Sequence, residues 1–131
     1  MNGHELSDRF RDLESRIAEE KGGFTLFALF MREDAPDRWD LIVSAPWVGG
    51  DKRSAVDYFV EQIKSRLGAQ DLTWLARIVV VDPLDAAVQA LNRTVQIEHG
   101  EVEVRDSTFF GMPVKHAFII TSKRPPAPAA A

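Results

Sequence analysis

The chain has 131 residues, 45% of them hydrophobic and 27% charged, which is the composition of one ordinary globular domain rather than of a disordered, fibrous or membrane chain. Its 16 Lys and Arg against 20 Asp and Glu leave a net charge of -4, which argues against broad capture of nucleic acid or anionic lipid. With no cysteine, disulfides, thiol nucleophiles and thiolate metal sites are excluded.

The first residues carry Glu5, Asp8, Arg9, Arg11, Asp12 and Glu14, so they lack the apolar core of a signal peptide. The longest apolar run, residues 24–31, is too short to span a bilayer as a helix. The expectation is a cytoplasmic protein with no membrane role.

Leu6, Phe10, Leu13 and Ile17 recur at helical spacing and predict an amphipathic helix over 4–20, closed by Gly22 and Gly23. Residues 24–31, apolar except for Thr25, read as a strand buried on both faces. A turn over 32–38 leads into a second strand, 39–45, and the two should form an antiparallel hairpin. Gly49 and Gly50 then open a helix over about 52–68, with Asp51 or Ser54 as its cap.

The β-branched run at 77–81 predicts a strand in a central, covered position. Asp82, Pro83 and Asp85 read as a helix start with Asp82 capping, the helix running to about Arg93. Residues 95–106 and 114–122 are strand material joined by a connection through Phe109, Phe110, Gly111, Met112 and Pro113, and Gly100 offers a point at which the first splits into a short hairpin. The Pro/Ala tail, 125–131, should be disordered. The order α-β-β-α-β-α-β-β predicts an α+β (α/β-like) fold over 1–124, with one mixed sheet of about five strands and its helices packed on it.

Three constellations are candidate sites. Gly49 and Gly50 with Lys52, Arg53 and Ser54 form a glycine turn at a helix start that can meet an anion, although the spacing of a phosphate-binding loop is missing and Asp51 intrudes. Glu101 and Glu103 share a strand face that His99 extends, and with Asp40 and His116 they have the residue types of a divalent-cation site. The alternative for that row is a solvated face, with Val102 and Val104 turned inward. Asp40 interrupts an otherwise apolar strand: it needs an Arg, His or metal partner if buried, and alternation otherwise leaves it at the strand's exposed start.

The third constellation is aromatic. Phe109, Phe110 and Met112 in one connection, with Trp47 at another strand end, are residue types favoured at protein interfaces; the alternative is that both phenylalanines cover the sheet core. No fingerprint calls for a cofactor, and no serine sits in a nucleophile elbow. Two readings follow: a binding or accessory domain acting through a protein partner or self-association, and a metal-dependent phosphoester hydrolase using Asp40, Glu101 and Glu103. Whether the chain is an enzyme stays open at this level.

Overall fold

Leu6, Phe10, Leu13 and Ile17 form one buried stripe along α1 (Gly3–Lys21), as their spacing requires. Gly22 closes that helix with a left-handed backbone (φ 118°), and its amide donates to the carbonyl of Ala18. The computed structural model describes residues 3–124, so the predicted tail at 125–131 lies outside the described residues. Between them the chain forms β1 (Leu26–Arg32), β2 (Trp39–Ser44), α2 (Lys52–Arg66), a 3-10 helix (Ala69–Trp74), β3 (Leu75–Val80), α3 (Ala86–Thr94), β4 (Val102–Phe109) and β5 (Met112–Ser122).

The strands make one mixed sheet in the order β3-β2-β1-β5-β4. β1 is central, antiparallel to both β2 and β5, while β2 and β3 run parallel across the α2 crossover. Alternation along β1 sends Phe27 and Leu29 to the face covered by α1 and α2, and Leu26, Ala28 and Phe30 to the face covered by α3. Both faces of this strand are therefore dry, as its continuous apolar run predicts. The cover is unequal: α1 and α2 lay six buried apolar side chains on their face, and α3 contributes only Val88 and Leu91. None of the described helices is long and apolar enough to cross a membrane.

Four local expectations are corrected. β3 lies at an edge rather than in the centre. Its β-branched residues pack toward helices, Ile78 and Val80 into the α1/α2 core and Val79 into the α3 core, so the run reports two covered faces and not two hydrogen-bonded neighbours. α3 begins at Ala86 with Asp85 as its cap, while Asp82 caps only the preceding turn through the amide of Leu84.

Residues 95–101 form no hairpin of their own. Ile97 makes a single antiparallel bridge to Ser122, Gly100 donates to Ile120, and pairing with β5 proper begins at Val102. The long aromatic connection shrinks to a two-residue turn, Phe110 (φ 54°) and Gly111 (φ 75°), because Phe109 and Met112 still pair. That is a hairpin turn with both central residues at positive φ, where Asn-Gly is the usual choice.

Candidate functional site

Asp40 is 1% exposed. It stands opposite Phe30 on β1 and Arg77 on β3, on the α3 side of the sheet. Its Oδ2 accepts from Arg32 Nε and from Arg77 Nε, both at 2.9 Å, and Arg32 also holds Asp34. The exposed-start expectation is thus overturned, because the two neighbouring strands each aim a guanidinium at this carboxylate. Two fixed positive charges on one carboxylate supply the partner it needs and leave it structural.

Glu103 stands opposite Phe118, whose ring belongs to the α1 side, so Glu103 and Asp40 are on opposite faces of the sheet and do not converge. On its own face Glu103 gathers a polar cluster. His116 Nε2 lies 2.5 Å from its Oε2, Arg105 Nη2 donates to the same oxygen at 3.0 Å, and His4 reaches both Glu101 (3.3 Å) and Glu103 (3.6 Å). The hydrogen bond from His116 holds the Glu103 carboxyl below its ordinary range. Among the described residues, no group of three or more histidine, aspartate or glutamate side chains is placed to hold a metal ion.

His99 leaves this cluster altogether. Its backbone is left-handed (φ 53°), its amide donates to Thr121 Oγ1, and its Nδ1 lies 2.6 Å from Glu14 Oε2. Glu14 was not among the predicted sites, yet its side chain is fully buried and its Oε1 makes no hydrogen bond among the described residues. Burial pushes its carboxyl above the ordinary range, and the hydrogen bond from His99 offsets part of the rise. The signal was available in the sequence: Glu14 is four residues after Phe10 and three before Ile17, inside the stripe that α1 buries.

At the glycine turn, Asp51 caps α2. Its Oδ1 accepts the amides of Arg53 and Ser54, and its Oδ2 accepts the Ser54 hydroxyl at 2.8 Å. Those bonds, the Ser54 hydroxyl first, hold its carboxyl below the ordinary range. The amides that an anion would use are already occupied by this carboxylate. Space beside Gly49 and Gly50 is open and neither has a positive φ, so Lys52, Arg53 and Ser54 are left as helix-start residues on a well-capped turn.

The aromatic candidates divide. Trp47 packs on Phe24, Tyr58 and Phe59 and donates Nε1–H to the carbonyl of Gly23, on the α1/α2 side. Met112 accepts from Arg77 Nη2 through Sδ. Phe109 stacks on Phe30 with centroids 4.8 Å apart and Phe110 leans on the same ring at 6.1 Å, on the α3 side. Both are half-buried: they cover the end of the core and still present part of each ring to a groove of about 630 Å³. Asp85, Ala87, Ala90, Leu91 and Thr94 form one wall, and Ser107, Thr108, Phe109, Phe110 and Gly111 the other. Leu84, one residue before the lining Asp85, is 75% exposed, a large apolar side chain left in water.

No family model, curated protein or solved structure matches this chain.

Replacing Asp40 with Ala leaves Arg32 and Arg77 facing an apolar gap. Chemical denaturation should show a loss of about 3 kcal/mol, the low end for a broken buried pair because Arg77 is partly solvated. Glu14, with its native pKa raised, binds more proton folded than unfolded. Its contribution is therefore complete below the ordinary carboxylate pKa and lost as pH rises through the raised value. Thermal midpoints measured from acid to neutral pH should fall more steeply for the parent than for Glu14→Gln, and parallel curves would contradict this placement.

Proposed function

We propose that this protein is a binding domain that captures an extended segment of a partner protein in the groove between α3 and β4. The observation that supports this reading most is the groove's construction: a helix forms one wall, and the other is the last strand of the sheet, with no further strand beyond it among the described residues. An edge strand offers unpaired amides and carbonyls, so a partner segment can add as one more strand while alternate side chains drop toward the helix. Apolar surface beside polar backbone is what such recognition uses, and each Leu- or Phe-sized anchor buried there adds about 1.5–3 kcal/mol.

The Phe110 backbone supports the same reading. A bulky residue at φ 54° is uncommon outside strained turns, and this conformation sets an aromatic ring at the mouth of the groove. Unfavourable backbone conformations of this kind cluster at ligand clamps. Ser107 and Thr108 add small polar contacts along the strand side.

A selection of random peptides on the immobilised protein tests it. Enriched peptides should slow amide exchange along β4, and Ala90→Arg, which fills the groove from an exposed position on α3, should weaken them by about tenfold or more. Peptides that bind Ala90→Arg as well as the parent, or that protect another surface, would overturn the assignment.

A further inference from the structure

Between α3 and β4 the chain runs along the last residues of β5 without forming a strand of its own. Ile97 exchanges two backbone bonds with Ser122, the Gly100 amide donates to the Ile120 carbonyl, and the His99 amide donates to Thr121 Oγ1. Gly100 sits directly on Ile97, where a Cβ would stand 2.6 Å from Cδ1, so the segment is a compact turn laid on the sheet edge. Val95 and Ile97 pack with the α3-side cluster, whereas His99 touches α1 on the opposite face. Regular alternation would keep residues 97 and 99 on one face. It is broken at His99, whose left-handed backbone (φ 53°) is one that a residue other than glycine holds only where its surroundings impose it.

What holds His99 there is a buried carboxyl. Its Nδ1 lies 2.6 Å from Glu14 Oε2, on a side chain that is fully buried and whose Oε1 has no hydrogen bond among the described residues. The pair fits one proton between them, on the carboxyl or on the imidazole, because a bare carboxylate here keeps a buried oxygen with neither partner nor counter-charge. The His99 side chain is 41% exposed, which gives that proton a way to water.

The groups around the pair do not replace the proton. Glu98, 3.8 Å from His99 Nε2, is a second carboxylate, and Lys123 beyond β5 is bonded to it. From β5 itself Thr121 faces the Glu14 carboxyl. On the preceding turn of α1, Arg11 is bonded to Asp8, and at the end of the segment Glu101 is engaged by His4. Burial raises the Glu14 carboxyl above its ordinary range, so its hold on the segment is complete in acid and weakens as pH rises through the raised value.

We propose that residues 95–101 form a pH-dependent flap on the sheet edge, closed while Glu14 and His99 share a proton and released when that proton is lost to water. On release His99 leaves its left-handed backbone, and the main chain of Ile120 and Ser122 becomes further open edge of β5. The device stands apart from the α3/β4 groove and needs no bound partner.

Amide hydrogen exchange on the full chain tests this, read as protection factors so that the intrinsic pH dependence of exchange drops out. From about pH 5 to about pH 8, a window that spans a raised carboxyl and an imidazole, protection at the Ile97, His99 and Gly100 amides should fall about tenfold or more, while β1 amides such as Leu29 hold theirs. Glu14→Gln, neutral at every pH, should make protection of the flap independent of pH. His99→Gly, which keeps the left-handed backbone and removes only an exposed ring, should leave the flap weakly protected at both ends of the range. Flat protection in the parent, an equal fall in Glu14→Gln, full protection of His99→Gly in acid, or a matching fall along β1 would overturn the proposal.

Discussion

Everything in this molecule is arranged around a strand that cannot tolerate water on either side. Leu26, Phe27, Ala28, Leu29 and Phe30 are completely buried, and with successive side chains pointing to opposite faces, both sides of the sheet must be covered. Placing β1 in the centre, between β2 and β5, satisfies its backbone, and helices on both faces satisfy its side chains. The long amphipathic α1 together with α2 seals one face. Among the described residues a nine-residue helix, α3, is the one helix on the other, helped by Phe109, Phe110 and Ile97, and the α3/β4 groove is the consequence of that shortfall.

Polar groups pin this arrangement where apolar packing alone would leave it loose. Asp40 draws guanidinium groups from β1 and β3 across β2. Arg9 ties α1 to the 3-10 helix through Asp71 and the carbonyl of Leu67, and Asn92 ties α3 to Thr25 and Ser122. Glu14 with His99 fastens the 95–101 segment to α1. Each joins elements far apart in sequence, and each leaves a costly buried group behind if one partner is removed. The carboxylates that resemble a cation site are therefore used up as structural partners.

That leaves one place whose features packing does not explain. Leu84, just before α3, is exposed, and Phe110 takes an unfavourable backbone at the end of β4, which has no outer neighbour among the described residues. Local rules broken without an evident structural gain are where function is expected to lie.

The α-helices and strands were legible in the residues and the 3-10 helix at 69–74 was not, because a helical stripe such as Leu6, Phe10, Leu13 and Ile17, or a continuous apolar run such as 24–31, depends only on local periodicity and on which side must leave water, whereas a short 3-10 turn has no such period. The aromatic pair at 109–110 was legible as a candidate for the same local reason. Which strands pair was not, since the β-branched run of β3 looks alike at an edge with covered faces and in the centre. Nor were the pairings of Asp40 with Arg32 and Arg77, or of Glu14 with His99 across 85 positions, because a charge finds its partner only after the sheet has brought distant strands together. The groove follows the same rule: α3 and β4 are ordinary elements in the chain and become its two walls only once the sheet has set β4 at its edge.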